Sequence, residues 1–84
     1  MRGGQSMEDI TTTTIETLNV EQATTILRHM GMRISPVAVR RGIEQGVFPF
    51  GDYIQMDKGT PVYQIYKRLF DAWVAERAVE ARAS

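Results

Sequence analysis

Between Asn19 and Gly46 the chain carries two complete sets of helix start and stop signals, and this close punctuation limits the fold more than any other feature. Asn19 offers a side-chain oxygen to the free N–H groups of a first turn, and Gln22 after it completes a capping box. Val20, Ala23, Ile26, Leu27 and Met30 then recur at helical spacing and Gly31 supplies a stop, which predicts a helix from about Val20 to Met30. Ser35 is a second N-cap, and Pro36 behind it lacks an N–H that would go unsatisfied in a first turn anyway. This second helix ends near Gln45, before Gly46. Only the stretch Gly31 to Ile34 separates the two, too short a joint to hold them apart, so they pack as a helix-turn-helix unit.

Beyond Gly46 the texture changes. Val47-Phe48-Pro49 is extended, because a residue before proline is pushed out of the α region, and Gly51 permits a sharp redirection. Tyr53-Ile54-Gln55-Met56 and Pro61-Val62-Tyr63-Gln64-Ile65 are β-prone runs around Asp57-Lys58-Gly59-Thr60, a hairpin turn, with Pro61 at a strand start or on an edge. From Tyr66 to about Ala83 helix formers return, and Tyr66, Leu69, Phe70, Trp73, Val74 and Arg77 fall at spacings of three and four; the aromatic and aliphatic members are expected to be core. The last turns, from Val79, lose the apolar stripe and are expected to fray. Residues 1–17, with Gly3-Gly4 and four consecutive threonines, show no apolar period; a flexible arm is expected there, with a short strand around Ile10 to Ile15 as the lesser alternative. Residues 18–84 then form one domain: mainly α with a small β-hairpin, in the order of a winged helix-turn-helix.

Bulk properties agree with a single small domain. A length of 84 residues with 43% hydrophobic side chains allows one core, and a chain this short buries only about 60% of its unfolded surface. The absence of cysteine rules out disulfides and cysteine-based zinc sites. No apolar run reaches the roughly 18 residues of a membrane span, and no secretory signal stands at Met1, so a soluble, cytoplasmic protein without a membrane partner is expected. Ten basic and ten acidic side chains cancel, yet the only charges from Gln22 to Ile43 are Arg28, Arg33, Arg40 and Arg41, so a neutral protein can present one basic face.

The rotation of the second helix decides where those arginines point. If Val39 and Ile43 define the buried stripe, a rotation of roughly 100° per residue leaves Val37, Ala38, Arg41, Glu44 and Gln45 outward, with Arg40 and Gly42 at the flanks. An exposed arginine pair is common, and either arginine can simply pair with Glu44 at i+3 or i+4. In a helix-turn-helix, however, the second helix enters the major groove N-terminal end first, which makes Arg41 a candidate for a guanine edge and Arg40 for a phosphate. Ser35 caps the helix and lies where a phosphate would meet its positive end. Lys58 at the hairpin tip is a further backbone or minor-groove candidate, its field partly cancelled by Asp57.

The run EQATTILRHMGMRISPVAVRRGIEQGVFPFG resembles the winged helix-turn-helix of the excisionase and MerR-like group, and in particular its small phage and mobile-element members. Ala23, Gly31, Ser35, Val39-Arg40-Arg41, Gly46, Pro49-Phe50-Gly51 and, later, Tyr63-Gln64-Ile65 and Phe70 carry the likeness, over about Asn19 to Val74. It implies a recognition helix from Pro36 to Gln45 and a DNA-contacting wing around Asp57 to Thr60. The implied function is double-stranded DNA binding in recombination or transcription regulation. Implied partners are an integrase or recombinase, or further copies on adjacent sites. The turn at Gly31 to Ile34 is longer than the usual MerR-like one, and no effector domain or dimerising coiled coil is recognisable, so effector sensing is not expected.

No catalytic constellation is recognisable. His29 is the one histidine, near a helix C-terminus whose dipole favours its cation, and no phosphate-cradling loop precedes a helix. A non-enzymatic protein with no cofactor and no metal is expected. The alternative from another class is a protein-interaction adaptor that uses the helix from Tyr66 to Ala83.

Overall fold

The computed structural model describes residues 13–80. They form three helices and a three-stranded antiparallel sheet, a small mixed α/β fold. In chain order these are β1 (Thr17–Leu18), α1 (Val20–His29), α2 (Pro36–Glu44), β2 (Gly51–Ile54), β3 (Val62–Tyr66) and α3 (Lys67–Arg77).

Both early helices begin and end as their residues dictate. The Asn19 side chain accepts from the Gln22 N–H at 2.6 Å while the Gln22 side chain accepts from the Asn19 N–H at 2.9 Å, so two orphan donors are satisfied reciprocally. At the other end the Met32 N–H reaches the Leu27 carbonyl and the Gly31 N–H the Arg28 carbonyl, each at 3.0 Å, with Gly31 in the left-handed region at φ 98°. That is a Schellman closure, and α2 repeats it with Val47 to Gly42 at 2.9 Å and Gly46 to Ile43 at 3.1 Å, Gly46 standing at φ 76°. Ser35 caps α2 by accepting from the Ala38 N–H at 3.2 Å. The joint between the helices is clasped as well: the Arg28 Nε donates to the Ile34 carbonyl at 2.8 Å.

Burial follows the helical spacing. Val20, Ala23 and Leu27 from α1 meet Val39 and Ile43 from α2, Ile65 from β3, Phe70 from α3 and Phe50 from the segment that enters β2. Thr24 is the one buried polar residue among the described ones, and its hydroxyl donates to the Val20 carbonyl at 2.7 Å, so its burial leaves no unsatisfied group. Beside this core, Phe48 stacks on Phe50 with centroids 5.2 Å apart, and Trp73 meets both rings edge-on at 5.5 and 5.3 Å. Phe48 fits because Gly42 has no side chain: a Cβ there would stand 2.3 Å from the ring.

The sheet differs from a plain hairpin. Its order is β1-β3-β2, with Gly51 opposite Ile65 and Tyr53 opposite Tyr63 on one side of β3, and Leu18 opposite Ile65 on the other. Thr17, counted in the expected flexible arm, is instead a strand residue that pairs with Tyr66, and the Lys67 N–H donates to the Glu16 carbonyl at 2.9 Å. A two-residue strand shows no period, and its partner lies far along the chain, so nothing local announces it. Half of the alternative strand at Ile10 to Ile15, residues 10–12, lies outside the described residues, and Thr13 to Ile15 is not strand. The strands of the hairpin are also displaced from expectation. β2 begins at Gly51 rather than Tyr53 and stops at Ile54, leaving Gln55 and Met56 in the connection, where Pro61 has no N–H to extend the ladder.

The third helix is shorter than its sequence promises. Tyr66 ends β3, α3 starts at Lys67, and Ala78 is already extended, because the apolar stripe runs out after Val74 and Val79 finds no surface to cover. Leu69, expected in the core, is 49% exposed: Phe70 takes the inward position and Leu69 is turned about 100° from it. Of the turns expected to fray from Val79 onward, Val79 and Glu80 are exposed and not helical, and residues 81–84 lie outside the described residues.

Candidate nucleic-acid interface

With Val39, Gly42 and Ile43 committed to the core, α2 has one rotation available. It leaves Val37, Ala38, Arg41 and Gln45 exposed in a row along the outward side, Val37 at 61% and the Arg41 side chain at 70%. Arg41 and Gln45 lie one turn apart, as do Val37 and Arg41, so the row reads apolar, cationic, amide from the N-terminus onward. No acid stands in the first turn to neutralise the positive end of the helix dipole near Ser35.

The two neighbouring arginines are held differently. Arg41 lies 3.4 Å from Glu44 one turn on, a long contact in an exposed place that costs little to give up. Arg40 reaches across to α1 and binds Glu21 at 2.8 Å, half-buried, in a hollow lined also by Thr60, Pro61 and Tyr63. Arg40 therefore ties α2 to α1 beside the base of the hairpin connection. Sequence reasoning missed Glu21 as its partner, since the two are nineteen residues apart.

Glu44 is the second residue that sequence alone could not place. It was expected outward, and one carboxylate oxygen does meet Arg41, but the side chain is only 23% exposed, and its other oxygen accepts the Tyr63 hydroxyl from β3. The bond couples the end of α2 to the sheet. Tyr63 also packs on Tyr53 across the ladder, centroids 5.5 Å apart. Lys58 stands exposed in the connection between β2 and β3, with no ion pair among the described residues. Of the central arginines, Arg33 alone is likewise without one or a carbonyl clasp, so the basic face is narrower than four free guanidiniums.

No family model, curated protein or solved structure matches the chain.

Among the described residues no group of three histidines or carboxylates could hold a metal ion, and no helix is long and apolar enough to cross a membrane. His29 is exposed on the last turn of α1.

Three groups hold their protons beyond their ordinary range. The Glu44 carboxylate that accepts its hydroxyl, then burial, pushes Tyr63 up; Asp52 does the same to Tyr66 through a 2.8 Å bond. Asp71, at 2.7 Å, raises Lys67. Because all three values are raised in the folded state, the stability these contacts contribute is fully present below pH 10 and lost as pH climbs through the folded values. The urea midpoint is expected to fall above about pH 10, and the double variant Tyr63→Phe, Tyr66→Phe to fall less steeply there. An equally steep alkaline loss in that variant would show that the two hydroxyls do not contribute.

Proposed function

We propose that the chain is a double-stranded DNA-binding protein with a winged helix-turn-helix architecture, excisionase-like or a small transcription regulator. In this reading α2 is the recognition helix and the β2–β3 hairpin is the wing. The observation that carries the reading is the outward row Val37, Ala38, Arg41 and Gln45 on a helix whose back is wholly engaged by the core. Such a row has no duty in folding, and its residue types are those that meet base edges: small apolar groups, a guanidinium and an amide. Ser35 and the α2 N-terminus suit a phosphate, and Lys58 suits the backbone beside the hairpin. Arg40, held by Glu21, supports α2 and meets a phosphate at the flank only by exchanging that carboxylate for it. No chemistry is required of any residue, and the protein acts as a binder, not as an enzyme. Further copies on adjacent sites, or a recombinase, are the partners such a role calls for.

Binding should be salt-dependent. With few phosphate contacts per copy, a dissociation constant of roughly 10⁻⁴ to 10⁻⁶ M is expected on non-specific duplex at physiological salt, weakening steeply as salt rises. An NMR titration with a short duplex at low salt should move the amides from Ser35 to Gln45 and of Lys58. Unmoved amides on α2 would end the DNA reading. A shift confined to α3 on adding a protein partner would instead favour an adaptor role, for which a groove among Met30, Trp73, Val74 and Val79 is the supporting observation.

A further inference from the structure

We infer that the first turn of α2 recognises the 5-methyl group of a thymine, with a guanine under Arg41 about two base pairs away; this rests on the reading of α2 as a DNA-recognition helix. Val37 is 61% exposed and takes no part in the core cluster, and Ala38 beside it is exposed as well. Both lie in the first turn, the part of a recognition helix that reaches deepest into the major groove. An isopropyl group turned to water gains nothing there, and it cannot hydrogen-bond a base. In the major groove thymine is the one base that displays an apolar group, the methyl on C5, and small aliphatic side chains are its natural neighbours.

The spacing fixes what accompanies it. Val37 and Arg41 are separated by four residues, roughly 6 Å along the helix, against a rise of about 3.4 Å per base pair. Arg41 has the reach and the donor fork for a guanine O6 and N7, and its hold on Glu44 is weak enough to be exchanged for them. Ala38, with one methyl, leaves the helix room to come close. The site is thus one that discriminates by a missing or present carbon at one position and by a hydrogen-bond pattern at the next.

The test starts from the duplex that the full chain enriches from a random-sequence library. That duplex is resynthesised with each thymine in turn replaced by deoxyuridine, which deletes the methyl and keeps the base pair. One position is expected to raise the dissociation constant about four-fold, the value of one buried carbon. The same exchange should be neutral for Val37→Ser, whose fold is verified by near-ultraviolet circular dichroism. Deoxyuridine neutral at every position, or an equal penalty in Val37→Ser, overturns the inference while leaving DNA binding intact. If the library yields no enriched duplex and the α2 amides stay unmoved by DNA, the functional reading fails and the inference with it.

Discussion

Arg41→Glu is expected to weaken duplex binding by at least about 100-fold, the sum of a lost base contact and a new repulsion from phosphate. Arg41→Ala, which removes only the contact, should lose roughly ten-fold. The separation between the two matters, because a merely solvated arginine far from DNA would give neither. Stability should hardly change. The Arg41 to Glu44 contact is 3.4 Å long and exposed, so its loss costs about 1 kcal/mol at most, and a glutamate at position 41 adds about 0.5 kcal/mol of repulsion from Glu44. Fluorescence anisotropy with a labelled duplex and a thermal melt of each variant decide the matter. Wild-type affinity in Arg41→Glu, with an intact melt, would remove α2 from any DNA-binding account.

The second large effect concerns stability. Phe50 is 1% exposed and sits at the hub of the aromatic packing: Phe48 lies 5.2 Å away, Trp73 5.3 Å and Phe70 5.1 Å, the last two edge-on. Truncating such a side chain removes its transfer energy and leaves a cavity, together about 3 to 5 kcal/mol. A domain of this size is stable by only about 4 to 13 kcal/mol, so Phe50→Ala should be partly unfolded at 37 °C or melt about 15 °C or more below the parent. Leu69→Ala, a deletion of similar chemistry at a half-exposed position, should change stability by no more than about 0.5 kcal/mol and so leave the melt within about 4 °C of the parent. Equal melts for the two variants would refute the assignment of Phe50 as the hub.

How far each element was legible follows from where its causes lie along the chain. The α1 and α2 boundaries could be read because caps act within three or four residues: Asn19 with Gln22, Ser35 with Ala38, and the glycines at 31 and 46. The outward positions of Val37, Ala38, Arg41 and Gln45 followed from the periodicity of Val39 and Ile43. What escaped was set by distant partners. β1 exists because β3 offers it an edge, and Arg40 chose Glu21 rather than the nearer Glu44 because the packing of α2 on α1 brought Glu21 within reach. Glu44 was read as outward from helical geometry alone, and the tyrosine that partly buries it comes from a strand whose register no local signal sets. In α3 the spacing of aromatic residues was clear, but spacing does not say that Phe70, not Leu69, faces inward.

The ring of Phe48 pressed on the bare backbone of Gly42 also makes the aim of α2 adjustable. A single methyl at position 42 would require that ring to retreat by about 1 Å, or the helix to roll away from it. Since the outward row sits on the same nine-residue helix, a change in the back of α2 would steer its front, altering where Val37 and Arg41 land without touching either. On the proposed reading of α2 as a DNA-recognition helix, position 42 would let target choice be retuned from inside the fold.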